Sequence, residues 1–207
     1  MNRRAMTLTS FRFAAAALSL SLLAACGSDN GGTGGAPANA PLAGATIGGP
    51  FELVNSEGQT VRWEDFDGKY RMVYFGYAYC PDVCPYDVQR MMQGYNQFRE
   101  AKPELAKAVQ PIFITIDPAR DTPAVVGEFT SAFSDDLVGL TGTPEQIDQA
   151  AKAFAVYYNK GEEGPGGYLM DHSRAAFLMG RKGEPIALLP VEQGADQVAA
   201  ELEKWVS

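Results

Sequence analysis

Positive charge is scarce in this chain. Its 207 residues carry 17 Lys or Arg against 25 Asp or Glu, a formal charge of −8. Three of the cations, Arg3, Arg4 and Arg12, precede Cys26 in a stretch without an acid, so the remainder has 14 basic residues and a charge of −11. That balance argues against nucleic acid as a partner and against a polybasic membrane contact. Long apolar runs are also lacking: the 11 residues Phe13 to Leu23 fall well short of the about 20 that a spanning helix needs. The Gly-rich stretch Gly161 to Gly167 lacks a Lys-Ser/Thr sequel and a preceding strand, so it is no phosphate cradle. No internal repeat is present. Histidine occurs once, at His172, and cysteine three times.

The N-terminal stretch has the form of an export leader. Arg3, Arg4 and Arg12 make a positive n-region, Phe13 to Leu23 the apolar core, and Leu23-Ala24-Ala25-Cys26 a small-residue ending. That ending is similar to a bacterial lipobox, which predicts a signal peptide over 1–25 and lipidation of Cys26. The plainer alternative is a signal peptide cut near Ala25 with Cys26 incidental, and Arg3-Arg4 also admits a twin-arginine signal. Residues 26–47, rich in Gly, Ala, Pro and Asn, read as a flexible tether of about 22 residues spanning roughly 25 Å. The chain is thus expected in a bacterial cell envelope, lipid-anchored, with its domain (48–207) facing the periplasm. Lipid on Cys26 would leave two thiols, Cys80 and Cys84, facing an oxidising compartment.

Within the domain, Phe51–Val54 and Thr60–Trp63 flank a Gly-containing turn and predict a hairpin. Strands are predicted over 72–79, 111–116 and 137–140, and a closing pair over 173–179 and 185–189. Helices are predicted over 86–101, from Pro123 to about Phe133, from Pro144 to about Tyr157, and over 197–206. Thr122-Pro123 and Thr143-Pro144 supply cap-plus-proline signals. Strands alternating with helices, then a hairpin and a helix, predict an α/β sandwich on a central mixed sheet. A dithiol at the end of the first central strand is the thioredoxin-like arrangement.

The chemistry concentrates in Cys80-Pro-Asp-Val-Cys84-Pro85, where that strand hands over to a helix. Each cysteine precedes a proline and is therefore biased towards extended or turn backbone. Pro85 at the first helical position would make Cys84 the N-cap, where the helix dipole favours thiolate, most directly at Cys84. The pair can close into a disulfide or grip a soft metal. His172 would complete a Cys₂His set; thiolates select Cu(I), imidazole also serves Cu(II), and zinc with a water is the alternative. Asp171 could orient the imidazole, Asp82 adds negative charge between the cysteines, and Asp117 ends a strand near the expected site. Each has a plain reading as turn or cap chemistry. Met91, Met92 and Met170 read as packing.

Four stretches carry a resemblance. Cys80-Pro-Asp-Val-Cys84-Pro, Phe113-Ile-Thr-Ile-Asp-Pro-Ala-Arg-Asp-Thr-Pro123, Gly139-Leu-Thr-Gly-Thr-Pro-Glu-Gln146 and Tyr168-Leu-Met-Asp-His172-Ser are similar, in order, to the SCO/SenC family of copper-handling assembly factors. The resemblance runs from about Gly48 to the end. It implies a thioredoxin-like fold, copper held by Cys80, Cys84 and His172, and delivery to, or thiol reduction of, the binuclear copper site of cytochrome c oxidase subunit II. Other copper chaperones are further implied partners. Many relatives have His before the first cysteine, where this chain has Tyr79; binding is expected to survive and its tuning to differ. A role at the oxidase favours the inner membrane, although Gly27 is not the Asp that retains enterobacterial lipoproteins there. The competing classes are a thiol-disulfide oxidoreductase using a redox-active Cys80–Cys84 disulfide, a peroxidase or redox sensor, and a binding module with a structural disulfide. The Cys-x₃-Cys spacing, one longer than that of thioredoxin enzymes, lowers the oxidoreductase as sole role.

Overall fold

The computed structural model describes residues 36–164 and 167–207. The expected signal peptide, the expected lipidation site Cys26 and the first part of the expected tether lie outside the described residues. Among the described residues no helix is long and apolar enough to cross a membrane.

The sheet grows from its most apolar segment. Tyr70–Gly76 (β3) is buried at every position, the signature of a central strand covered on both faces. It pairs in parallel with the equally apolar Val109–Thr115 (β4), which pairs in parallel with Val138–Thr141 (β5). Antiparallel partners close both sides. The hairpin Glu52–Asn55 (β1) and Thr60–Arg62 (β2) adds to β5, and Ala176–Met179 (β8) with Pro185–Leu189 (β9) adds to β3. The seven strands run in the order β2-β1-β5-β4-β3-β8-β9, a central mixed sheet as expected. The hairpin turn is held by the Asn55 carboxamide oxygen, which accepts the N–H groups of Glu57 (3.1 Å) and Gln59 (2.9 Å). The strand predicted over 72–79 stops at Gly76, and residues 77–79 turn away from the sheet.

Helices cover both faces, giving the thioredoxin-like α/β arrangement. Val83–Ala101 (α1) runs into the short Pro103–Ala106 (α2). Pro123–Ser131 (α3) is capped by Thr122, whose hydroxyl accepts Val125 N–H, and Pro144–Ala153 (α4) opens with a Thr143–Gln146 capping box. Strand alternation sorts the layers. Tyr74 turns to α1, and Phe113 packs on Phe129 of α3 at 4.8 Å. Phe75 packs on Phe154, at the end of α4, at 5.2 Å on the other face. There the buried Arg71 lies 4.2 Å over the Trp63 ring and donates to Asp67 and to the Gly180 carbonyl. The last helix, Ala195–Trp205 (α5), lies along α1.

Three expectations change. Helix α4 ends at Ala153 instead of reaching Tyr157, because Ala155 takes a left-handed backbone (φ 53°) that no helix continues through. Residues that follow form a two-stranded ribbon, Tyr158–Lys160 (β6) against Met170–His172 (β7), so His172 ends this ribbon, and the strand predicted over 173–179 starts only at Ala176. The stretch 36–47, assigned by composition to a flexible tether, lies on the domain. Leu42 N–H donates to the Ile186 carbonyl (3.0 Å), Ala40 is buried and Ile47 packs on the core. Tight turns, such as Ala43 N–H to Ala40 C=O and Ala45 N–H to Leu42 C=O, satisfy its backbone in place of a ladder.

The α1–α5 seam depends on a missing side chain. A Cβ on Gly94 would lie 2.6 Å from Val198 Cβ and 2.7 Å from the Ala195 carbonyl oxygen. Ala is the better helix former by about 1 kcal/mol, but overpacking against backbone costs about 1–3 kcal/mol. Gly94→Ala is therefore expected to destabilise the protein by about 1–2 kcal/mol in urea unfolding. A variant more stable than the parent would refute the close seam.

Candidate metal centre

The site begins where β3 runs out. Tyr77 to Asp82 form a loop pinned from below: the buried Asp121 accepts Ala78 N–H (2.9 Å) and the Thr115 hydroxyl (2.6 Å) on one carboxylate oxygen. Helix α1 then starts at Val83, two residues before the proline meant to open it, so Cys84 is the second helical residue and not the cap. Pro85 fits at the third position because N–H groups of a first turn have no intrahelical acceptor to lose. The Cys84 N–H is taken instead by Cys80 Sγ at 3.4 Å, while the Asp82 side chain makes no cap bond. Cys84 is buried and Cys80 is partly open. The buried sulphur needs room: a Cβ on Gly76 would sit 3.2 Å from Cys84 Sγ and 2.8 Å from the Tyr74 ring.

His172 arrives from the ribbon, 88 positions along the chain, with Nε2 3.2 Å from Cys84 Sγ. Its Nδ1 lies 2.9 Å from the Ser173 carbonyl, which can only accept, so Nδ1 carries a proton and Nε2 faces the sulphur atoms. Tyr77 and Tyr74 set their rings edge-on to the imidazole at 6.0 and 6.5 Å. One ligand atom each from Cys80, Cys84 and His172 lies within 4.8 Å of the others.

The two thiols are driven apart. A hydrogen bond from Cys84, helped by His172 and by the backbone N–H groups of Cys84 and Asp82, outweighs burial and holds the Cys80 thiol down, at about 3. That same hydrogen bond to Cys80, with burial, pushes the Cys84 thiol up. Thiolate therefore sits at Cys80, the reverse of the expectation that the helix N-terminus would favour it at Cys84. The hydrogen bond between them decides: Cys84 donates it and so keeps its proton, with burial the second cause. Burial foremost also pushes the Tyr77 hydroxyl up to about 12.

The candidate acids lie outside this cluster. Asp82 is exposed. Asp171 is exposed and, by strand alternation, on the opposite side of the ribbon from His172; the Ser173 carbonyl takes the orienting bond assigned to it. Asp117 is buried and accepts Arg120 Nε (2.5 Å) and the Tyr168 hydroxyl (2.8 Å), while Arg120 donates to the Tyr168 carbonyl (2.9 Å). It ties the approach to the ribbon to the turn after β4. Met91 and Met92 are buried in α1, and Met170 is buried with its N–H on the Tyr77 hydroxyl (3.3 Å). Sequence reading missed Asp87 and Arg174. Asp87 is wholly buried, and Arg174 donates to both its oxygens, from Nε (3.0 Å) and Nη2 (2.7 Å). A carboxylate three residues after Cys84, on the helix face that packs, was the available signal.

The split between the thiols makes a direct prediction. Iodoacetamide at pH 6 is expected to alkylate Cys80 and spare Cys84, read by peptide mass mapping. Cys84→Ser weakens the donor that most lowers the Cys80 thiol, so the pH midpoint of Cys80 alkylation moves upward. An equal rate at both thiols, or an unmoved midpoint, contradicts the assignment.

Known proteins match this arrangement. SenC of Rhodobacter capsulatus is 47% identical over 140 residues, covering 68% of this chain and 62% of SenC. The human mitochondrial SCO1 homologue is 36% identical over 159 residues, covering 75% of this chain and 52% of that protein. The chain thus spans less than two thirds of the length of these curated relatives. Among solved structures, copper-bound ScoI of Arabidopsis thaliana superposes with a TM-score of 0.72 at 35% identity, over 76% of this chain and 96% of that one. Copper-bound ScoI of Bradyrhizobium japonicum gives 0.69 at 34%, over 77% and 99%. The sequence model of the SCO1/SenC family matches residues 39–207, and the chain belongs to that family.

Proposed function

We propose that this protein is a copper metallochaperone that binds one copper ion through Cys80, Cys84 and His172 and helps assemble the binuclear copper site of cytochrome c oxidase. The observation that carries this is the convergence of two sulphurs and one imidazole nitrogen within 4.8 Å, from segments 88 positions apart. The donor set fits the cargo. Thiolates favour Cu(I), and the Nε2 lone pair, aimed by the Nδ1–H bond to Ser173, serves either oxidation state. The copper-bound relatives support the choice of metal.

The geometry gives the transfer a direction. Cys84 is buried and Cys80 is partly open, so an incoming donor reaches the copper from the Cys80 side. Exchange replaces a Cu–S bond to Cys80 by a bond to the recipient, and copper keeps its charge throughout. Cys80, held as thiolate, needs no proton removed before copper is loaded. The recipient in this reading is the copper site of oxidase subunit II. The protein is held at the envelope membrane by a lipid on Cys26, the inner membrane being where an oxidase partner would require it.

A second reading has its own observation: both thiols are free, one as thiolate and one protonated. Cys80 S⁻ attacks a disulfide of the partner and forms a mixed disulfide; Cys84, on losing its proton, attacks Cys80 and releases the partner as a dithiol. That would reduce the cysteines of a copper site before loading and needs no histidine.

The two readings part on His172. The reduced protein is expected to take up one copper per chain, with a thiolate-to-Cu(II) charge-transfer band. His172→Ala should shift that band and weaken Cu(II) binding by about tenfold or more, and Cys84→Ser should abolish stoichiometric binding. No copper uptake, or uptake indifferent to His172, would leave the dithiol as the whole site and favour the reductase.

A further inference from the structure

The three donors come from two bodies that share no strand pairing. Cys80 and Cys84 sit on the β3–α1 junction, while His172 ends the β6–β7 ribbon, whose strands pair only with each other among the described residues. Contacts on either side of His172 fasten the ribbon to that junction. Two residues before it, Met170 N–H donates to the Tyr77 hydroxyl at 3.3 Å. Two residues after it, Arg174 donates Nε and Nη2 to the two oxygens of Asp87 at 3.0 and 2.7 Å.

The second fastening is out of place in a fold held by packing alone. Asp87 is wholly buried, one turn along α1 from Cys84, and its remaining partner is the Tyr74 hydroxyl, which donates at 3.1 Å. A core helix position is filled more cheaply by an apolar residue than by a carboxylate that must be desolvated and paired. The paired arrangement adds direction: a two-point guanidinium–carboxylate bond fixes orientation as well as distance. The intervening Ser173 supplies the carbonyl that takes His172 Nδ1–H, so the pair restrains the backbone on which that bond depends.

We propose that the Arg174–Asp87 ion pair is a positioning device for His172, setting the ribbon against α1 so that Nε2 stays on Cys84 Sγ and Nδ1–H stays on the Ser173 carbonyl. The proposal rests on the Cys₂His reading above. Tyr77, with the Asp117 and Arg120 bonds to Tyr168, fastens the chain before His172; the ion pair fastens the chain after it.

The test uses the whole protein as Arg174→Lys, Arg174→Gln and the double variant Asp87→Asn/Arg174→Gln. The double variant removes both charges and so strands no buried carboxylate. In the metal-free protein, ¹H–¹⁵N spectra of the sole imidazole report its tautomer and the exchange of Nδ1–H. With copper, the nitrogen coupling in the Cu(II) paramagnetic resonance spectrum reports ligation. We expect the folded double variant to exchange Nδ1–H faster and to lose nitrogen coupling. Its Cu(II) affinity should fall by about tenfold, while Cu(I) affinity, governed by the thiolates, stays near the parent's. Arg174→Lys, with charge but no fork, should recover part of the coupling. A folded double variant with the parent's imidazole exchange and nitrogen coupling would overturn the proposal. So would unfolding of all three variants, which would assign the pair to the fold. If the parent itself takes up no copper, the chaperone reading fails, and the metal-free imidazole spectrum still decides the positioning role.

Discussion

Cys84 Sγ has to be buried, and the site's architecture follows from that requirement. The sulphur sits where the α1-facing side of the central strand meets the first turn of α1, against Gly76, which has no side chain to exclude it. Its hydrogen bond to Cys80, with burial second, keeps its proton on and makes Cys80 the bearer of negative charge. The same depth lets a histidine come within 3.2 Å while the imidazole stays shielded on two sides by Tyr74 and Tyr77. An exposed pair of thiols at a helix start would have had neither the asymmetry nor the third donor.

Around this point three buried acids, Asp87, Asp117 and Asp121, tie the segments together in two groups. Asp87, Arg174 and Tyr74 join α1 to the chain beyond His172. Asp117, Arg120 and Tyr168 join the turn after β4 to the chain before it, and Asp121 holds the cysteine loop through Ala78. Arg120 also lies over the Tyr168 ring at 3.7 Å and near the Tyr79 ring at 5.2 Å. Neither donor-bearing segment is paired into the central sheet: the cysteines lie on a loop and the first turn of α1, and His172 on a ribbon whose strands pair only with each other among the described residues. Side-chain bonds to buried acids do what strand pairing does elsewhere.

Much of this was legible in the sequence. The buried strands announced themselves as runs of aromatic and β-branched residues, and Thr-Pro pairs marked the starts of α3 and α4 because capping and proline geometry are local. Cys80, Cys84 and His172 could be named as a set from residue type and family resemblance, although spacing alone could not show that His172 reaches the cysteines. What was not legible was decided by long-range contact. Helix α1 starts at Val83 because a sulphur four residues back of Cys84 takes its N–H, which no propensity encodes. The β6–β7 ribbon is three residues on each side and has no pattern long enough to read. Arg174 carries no local signal of its own; only Asp87, 87 positions away, gives it a partner. Residues 36–47 looked like linker because Ala, Pro and Gly are as suited to tight turns on a surface as to disorder.

The separation between the donors has a kinetic meaning. Closing a loop of this length is slow compared with forming the β3–α1 junction, whose contacts are local. Loop closure of this length favours an order in which the two thiols, already side by side, form before the imidazole joins them. A chain caught at that stage is a bare dithiol, open to oxidation or to capture of whichever soft ion is nearest. Only the docking of β8 on β3, which brings the segment just after His172 into place, turns the pair into a three-donor cradle. The three-donor set is thus a property of the finished fold, and an unfinished chain offers only the dithiol.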